Sequence, residues 1–246
     1  MSAFEAGSSM RVAVFDIDGT LYPDVLSWTL PEWLVSTGAC PASRFVELRH
    51  FLCGVGATEG VTEGLALLPK AYELFAQALA EVRVTDLENA AENLWRQKKG
   101  LLFPFSHSLM QSIAAARCVP VLISRGPDII VRQVAKSLDV SLYRGTRFQV
   151  KASRYTGEIF YRDNMKTKKE FLFDLFDSPI NLDGSMAVGN TLHDAQILEL
   201  VGFPYAFEPS QGLTEVALER GWPIVDRHTI KRVVADAFLR NAGLAH

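Results

Sequence analysis

Arg11-Val12-Ala13-Val14-Phe15-Asp16-Ile17-Asp18-Gly19-Thr20 is the stretch on which the reading of this chain turns. Its first half, Arg11 to Phe15, is a short run of β-branched and aromatic residues, the composition of a buried strand. Its second half stops that run with two aspartates and a turn-forming glycine, so the strand ends in a polar, acidic loop. In an open parallel sheet the loops at the carboxyl ends of the strands converge on a crevice where ligands bind. Two carboxylates in one such loop repel each other unless positive charge lies beside them, and a bound cation supplies it. One carboxylate is then available as a nucleophile and the other for moving protons. Taken alone, Asp16 to Thr20 also fits an Asx-type turn or half of a calcium loop, so its meaning depends on the rest of the chain.

Outward from this strand, the pattern from about Trp28 to Gly100 is helical, with Tyr72, Phe75, Leu79 and Val82 on one face and no strand interrupting it. Strand and helix then alternate. Leu109, Met110 and Ile113 share a helix, and Val119 to Ile123 is an apolar strand followed by a polar loop. Pro127 suits the first turn of the next helix, whose buried stripe is Ile130, Val134 and Leu138. Between Arg147 and Arg162 two strand-like pieces flank Thr156 and Gly157, which predicts a hairpin. A helix with Phe171, Leu172, Leu175 and Phe176 follows, then a strand at Met186 to Val188, a helix through Ile197 and Leu198, and a strand near Tyr205 to Phe207. This alternation predicts an α/β fold, a Rossmann-like parallel sheet covered by helices on both faces in three layers. The expected division is discontinuous: a core from residues 11–24 and 101–246, a helical cap at 25–100 inserted after the first strand, and a flexible tail at 1–10.

Composition narrows the partners. With 48% hydrophobic and 22% charged residues in 246, the chain can bury a sizeable core. A net charge of -3 and a pI near 6.0 leave no excess of positive charge for a nucleic-acid backbone or an anionic membrane face, but small phosphorylated molecules remain possible. No apolar run approaches the roughly 18 to 20 residues that span a bilayer. The first ten residues lack the basic start and apolar stretch of a signal peptide. Cys40, Cys53 and Cys118 are odd in number and have no CxxC spacing, which indicates neither a disulfide framework nor a zinc site and predicts a cytoplasmic protein.

Three further segments carry possible chemistry. Val119 to Ile123 ends in Ser124, followed by Gly126 and a helix start; a hydroxyl with free N–H groups at a helix N-terminus can receive phosphate oxygens, or can be a plain cap. Lys168 opens the helix with the phenylalanine stripe, where a cation would stabilise both the Asp16 carboxylate and a phosphate; beside Lys166 and Lys169, a solvated surface is the alternative. Val188-Gly189-Asn190-Thr191-Leu192-His193-Asp194 puts an amide and a carboxylate four residues apart after another strand, or is simply a loop before a capped helix.

In this order the elements resemble the haloacid dehalogenase superfamily of aspartate-nucleophile phosphatases, and in particular the branch that includes phosphoserine phosphatase. The resemblance rests on Asp16-x-Asp18-Gly19-Thr20, the strand-terminal Ser124, Lys168 with Leu172 four residues on, the Gly189-x(4)-Asp194 ending, and the Arg154-Tyr155-Thr156-Gly157-Glu158-Ile159 hairpin. It implies that Asp16 attacks phosphorus, that Asp18 protonates the leaving oxygen and then activates water, and that Ser124 and Lys168 hold the phosphoryl group. It also implies Mg2+ bound by Asp16, the Asp18 backbone carbonyl, Asn190 and Asp194. Lys166 is a second candidate for the lysine role. Thr20, Arg125 and His193 are further candidate substrate contacts.

The chain departs from the family pattern in places. Asn190 stands where an aspartate is usual, which removes a negative charge and predicts weaker magnesium binding, with Asp194 expected to compensate. His193 and Arg125 replace an asparagine and a small residue. Val25 occupies the position of the acidic reader of the phosphoserine amino group, which argues against that substrate. Trp28, Trp33 and Trp95 either line a leaving-group pocket or pack within the helical bundle. A phosphatase, a phosphotransferase with the same first half-reaction and a non-catalytic binding protein remain as alternatives; carbon-halogen hydrolysis suits Asp18, Ser124 and Lys168 poorly.

Overall fold

The computed structural model describes residues 10–56, 68–160 and 167–241. Its first strand, β1 (Val12–Phe15), is buried along its whole length, as its apolar run requires. The first four described α-helices follow β1: α1 (Leu30–Ser36), α2 (Val46–Gly56), α3 (Leu68–Ala78) and α4 (Val84–Lys98). Then come α5 (Ser106–Ala115), β2 (Val119–Pro127), α6 (Asp128–Ser137), β3 (Leu142–Thr146), the hairpin β4 (Phe148–Lys151) and β5 (Arg154–Ile159), and α7 (Lys168–Phe173). The chain finishes with β6 (Met186–Gly189), α8 (Ala195–Leu198), β7 (Phe203–Phe207), α9 (Gln211–Arg220), β8 (Ile224–Val225) and α10 (Ile230–Asn241).

Six strands form one sheet in the order β3-β2-β1-β6-β7-β8, every pair parallel. The chain is thus a Rossmann-like α/β protein. Phe15 pairs with Leu122 on one side and Val188 on the other, so β1, β2 and β6 end side by side. Two apolar clusters cover the sheet faces. One contains Phe15, Met110, Val134 and Phe207 and runs on into the inserted helices through Leu34, Phe75 and Leu94; the other contains Val14, Ile123, Phe171, Leu198 and Leu213. Removing a fully buried ring such as Phe15 would cost about 3–5 kcal/mol.

Several boundaries differ from the sequence expectation. The hairpin turns at Ala152 and Ser153, both with positive φ (49° and 61°), while Thr156 and Gly157 lie inside β5. Gly157 has φ +93°, and a Cβ there would stand 3.1 Å from the Ala80 Cβ, so its glycine serves close packing against the end of α3. The inserted segment also contributes extended backbone to this hairpin: Glu81 and Val84 donate to the Tyr155 and Ser153 carbonyls, and Tyr155 donates to Val82. Leu79 and Val82 therefore lie beyond the helix that carries Tyr72 and Phe75. β2 runs on through Ser124 to Pro127, with a register shift against β3, and Pro127 is the N-cap residue of α6 rather than part of its first turn. Leu175 and Phe176 fall in turns after α7. Met10, counted with the N-terminal tail, pairs with Ile180. Residues 1–9, Arg162 and Lys166 lie outside the described residues. Among those described, no helix is long and apolar enough to cross a membrane.

Candidate active site

The loop after β1 folds back tightly on itself. Thr20, Leu21 and Tyr22 all donate backbone N–H groups to the Ile17 carbonyl, and Gly19 donates to Tyr22. Gly19 adopts φ +81°, and a Cβ there would stand 2.0 Å from the Asn190 side chain, so glycine is required both by the turn and by the neighbouring loop. This turn leaves the Asp16 side chain at the strand end, 6% exposed, with its backbone N–H on the Val188 carbonyl of β6.

Lys168 reaches Asp16 from the first residue of α7. The capping box of Thr167 and Glu170 starts the helix at that residue. Its Nζ, 4% exposed as a residue, donates to Asp16 Oδ1 at 2.5 Å and to Asp194 Oδ1 at 2.5 Å. Asp194 is held by its own loop, since its Oδ2 accepts from the Asn190 and Thr191 backbone N–H groups and the Thr191 hydroxyl. Gly189 makes room for it, because a Cβ there would stand 2.3 Å from the Asp194 Cβ. Burial penalises the Lys168 ammonium, but the two carboxylates outweigh that and raise its pKa.

The carboxylates respond differently. Burial pushes Asp16 up to about 7, opposed by Lys168 and reinforced by Asp194 and Asp18. Burial also pushes Asp18 up to about 6, opposed by the Leu26 N–H, which donates to Asp18 Oδ1 at 3.0 Å, and by Lys168. The other oxygen of Asp18 faces β2: a Cβ on Gly126 would stand 3.6 Å from Asp18 Oδ2 and 3.2 Å from Ser124 Oγ. Ser124 is 3% exposed and accepts from the Gly126 N–H at 2.9 Å.

Asn190 closes the arrangement. Its Oδ1 stands 3.1 Å from the Asp18 carbonyl oxygen and 3.3 Å from Asp16 Oδ2, with the Thr20 hydroxyl donating to it at 3.4 Å. The Asp18 carbonyl oxygen and Asp16 Oδ2 thus both stand against the Asn190 amide oxygen. A half-turn of the amide would place its NH2 there and make two hydrogen bonds instead. A carboxylate, a carbonyl and an amide oxygen are a hard donor set suited to Mg2+ with water completing the shell. Among the described residues no group of three or more His, Cys, Asp or Glu side chains has metal-holding geometry, and this set needs none, since only one of its donors is such a side chain.

Of the residues expected from the sequence, Asp16, Asp18, Thr20, Ser124, Lys168, Asn190 and Asp194 meet at the ends of β1, β2 and β6. Arg125 is half-buried, its guanidinium 5.6 Å from the centre of the Phe171 ring, and His193 is half-buried next to Asp194 in the chain. Two residues not assigned to the site reach it from the inserted segment. Tyr72, read as part of an apolar stripe, brings its hydroxyl within 3.9 Å of the Cβ position over Gly126, and Ser27 sits beside that hydroxyl. A tyrosine among aliphatic and phenylalanine positions was the available signal, since a buried phenol needs a polar neighbour. Trp28 stacks on Tyr72 with centroids 5.7 Å apart, while Trp33 and Trp95 belong to the main apolar cluster.

The parallel sheet, the strand-end aspartate loop and the buried lysine define a Rossmann-like α/β architecture with a helical segment between its first two strands. The chain belongs to the haloacid dehalogenase-like hydrolase family, whose pattern it matches over residues 13–199. It is 30% identical over 143 residues to the inhibition of morphological differentiation protein of Streptomyces azureus, a match covering 57% of this chain and 52% of that one. The chain spans about half or less of the length of the curated relatives it matches. Among solved structures, a Bordetella pertussis protein of unknown function superposes with a TM-score of 0.70 at 23% identity, covering 89% of this chain and 100% of that one. A substrate-bound phosphoserine phosphatase superposes with a TM-score of 0.56 at 18% identity, covering 85% and 90% of the two chains.

Proposed function

We propose that this chain is a magnesium-dependent phosphomonoester hydrolase that acts through a phosphate ester of Asp16 on a small phosphorylated metabolite. The observation that carries the reading is the Asp16 carboxylate itself. One oxygen rests on the buried Lys168 ammonium, and the other faces the Asn190 amide, which also meets the Asp18 carbonyl.

Asp16 attacks phosphorus as the carboxylate, and Lys168 opposes the burial that favours its acid form. Asp18, raised to about 6, gives a proton to the leaving oxygen and later takes one from the water that hydrolyses the ester. Ser124, held by the Gly126 N–H, holds phosphate oxygens, with Thr20, Arg125 and His193 at the margins. Asp16, the Asp18 carbonyl and Asn190 hold the Mg2+, and Asp194 adds its charge beside them while anchoring Lys168. When bound, Mg2+ neutralises charge on the phosphoryl oxygens. In this reading residues 25–100 cap a core formed by 11–24 and 101–246, with Tyr72 and Ser27 closing over the loops.

Incubating the protein with an aryl phosphate and Mg2+ tests the proposal. Phosphate release that depends on Mg2+ and disappears in Asp16→Asn is expected. Turnover surviving in Asp16→Asn, or none in the unaltered chain, contradicts it. Added alcohols that divert the phosphoryl group from water would turn the reading toward transfer.

A further inference from the structure

Above the phosphoryl site the inserted segment sets down polar atoms that the hydrolysis outlined above does not use. Tyr72 is 3% exposed, and its hydroxyl lies over Gly126 on the side where Asp18 Oδ2 and Ser124 Oγ also point. Ser27, in the short 3-10 turn Leu26–Thr29, is equally buried. Its Oγ lies beside the Tyr72 hydroxyl, yet has no hydrogen bond of good geometry among the described residues. A buried hydroxyl whose polar neighbour is poorly aligned is only partly satisfied, and one next to a reaction centre points to a ligand that completes it. Trp28 stacked on Tyr72 holds the ring in place.

We propose that Ser27 and Tyr72 form a hydroxyl pair that reads the leaving group, selecting phosphomonoesters whose alcohol carries a further uncharged hydroxyl close to the ester oxygen. The proposal rests on the phosphomonoester hydrolysis inferred above. A serine and a tyrosine hydroxyl each donate and accept, which matches a substrate hydroxyl that does the same. An ammonium group would call for a carboxylate, and the nearby Asp18 is committed to proton transfer while Val25 carries no charge. A carboxylate on the substrate would call for a cation beside the pair; Arg125, whose charge reaches Tyr72, stands 5.6 Å from the Phe171 ring and is assigned above to the phosphate margin. A site built to bond a hydroxyl discriminates strongly against the analogue that lacks it, because its own polar atoms are left unpaired.

The test compares glycerol phosphate with n-propyl phosphate, which share a chain length and differ in hydroxyls. The ratio of their kcat/KM values is read in the unaltered chain, in Tyr72→Phe and in Ser27→Ala. The ratio is insensitive to the fraction of each preparation that is folded. The proposal predicts a preference for glycerol phosphate of about tenfold or more, falling toward parity in both variants. A ratio unchanged in both variants, or no preference in the unaltered chain, overturns it while leaving the hydrolase reading intact. If the unaltered chain hydrolyses neither ester nor an aryl phosphate, the hydrolase reading fails and this inference falls with it.

Discussion

Asp16 and Asp18 are two carboxylates whose burial favours their protonated forms, and this gives the cation-free protein a particular pH response. A folded-state pKa raised from 3.8 to about 7 for Asp16 and about 6 for Asp18 means that folding binds protons. The resulting stabilisation is fully present below about pH 4 and is lost as pH rises through 6 to 7. Melting in the presence of a chelator should show this component of stability falling between about pH 4 and 7, and Asp16→Asn should flatten the slope. A slope identical in the two proteins would place the protons elsewhere. Asn190 makes the complementary prediction. Asn190→Asp puts a second negative charge 3.3 Å from Asp16 Oδ2. It should lower the melting temperature with chelator, and should lower the half-saturating Mg2+ concentration by about tenfold, or ~1.4 kcal/mol, within the range that one added charge at a partly screened site supplies. If the half-saturating concentration did not move, the reading that Asn190 weakens magnesium binding would lose its basis.

At the scale of elements, two local devices hold the site together. The Thr167 and Glu170 capping box fixes where α7 begins, and therefore where Lys168 points. Thr167→Ala should cost about 1 kcal/mol of stability and reduce turnover more than the stability loss explains, as the ammonium loses its fixed position. A loss of stability with kinetics untouched would show that Lys168 is held by its ion pairs alone. Gly157→Ala should destabilise by about 1–2 kcal/mol, because its φ of +93° is strained for any side chain and Ala80 stands in the way; the melting temperature checks it. The start of α7 at Lys168 was legible, although the Thr167-x-x-Glu170 pattern that caps it, a short-range signal, was not singled out. The hairpin turn was not. Thr156-Gly157 carries turn-forming chemistry, whereas Ala152-Ser153 carries almost none, and its positive φ values are held by contacts such as the Val84 N–H on the Ser153 carbonyl. A turn imposed by partners far along the chain leaves little trace in its own residues.

Across the whole molecule, the parallel sheet was legible because buried strands such as Val12–Phe15 and Met186–Gly189 alternate with helical stripes. β8, two residues long, and the helices α9 and α10 were not read, since α9 carries only a narrow buried face of Leu213 and Ala217. The meeting of Asp16, Ser124 and Asn190 follows from the neighbouring positions of β2, β1 and β6. Each residue stands within two positions of a strand residue paired with β1 or just past β1 itself, so a correct strand order brings them together. Ser27 and Tyr72 escaped notice for the opposite reason: their place over Gly126 depends on how the inserted segment settles on the sheet, which no short pattern encodes. The central claim, that Asp16 takes the phosphoryl group, is tested most directly by acid-quenching the reaction during turnover and locating the phosphate by peptide mass spectrometry. The account predicts one phosphoryl group on the peptide containing Asp16, released by hydroxylamine and absent from Asp16→Asn. A stable phosphate on Ser124, or turnover in which the Asp16 peptide is never modified, would contradict it.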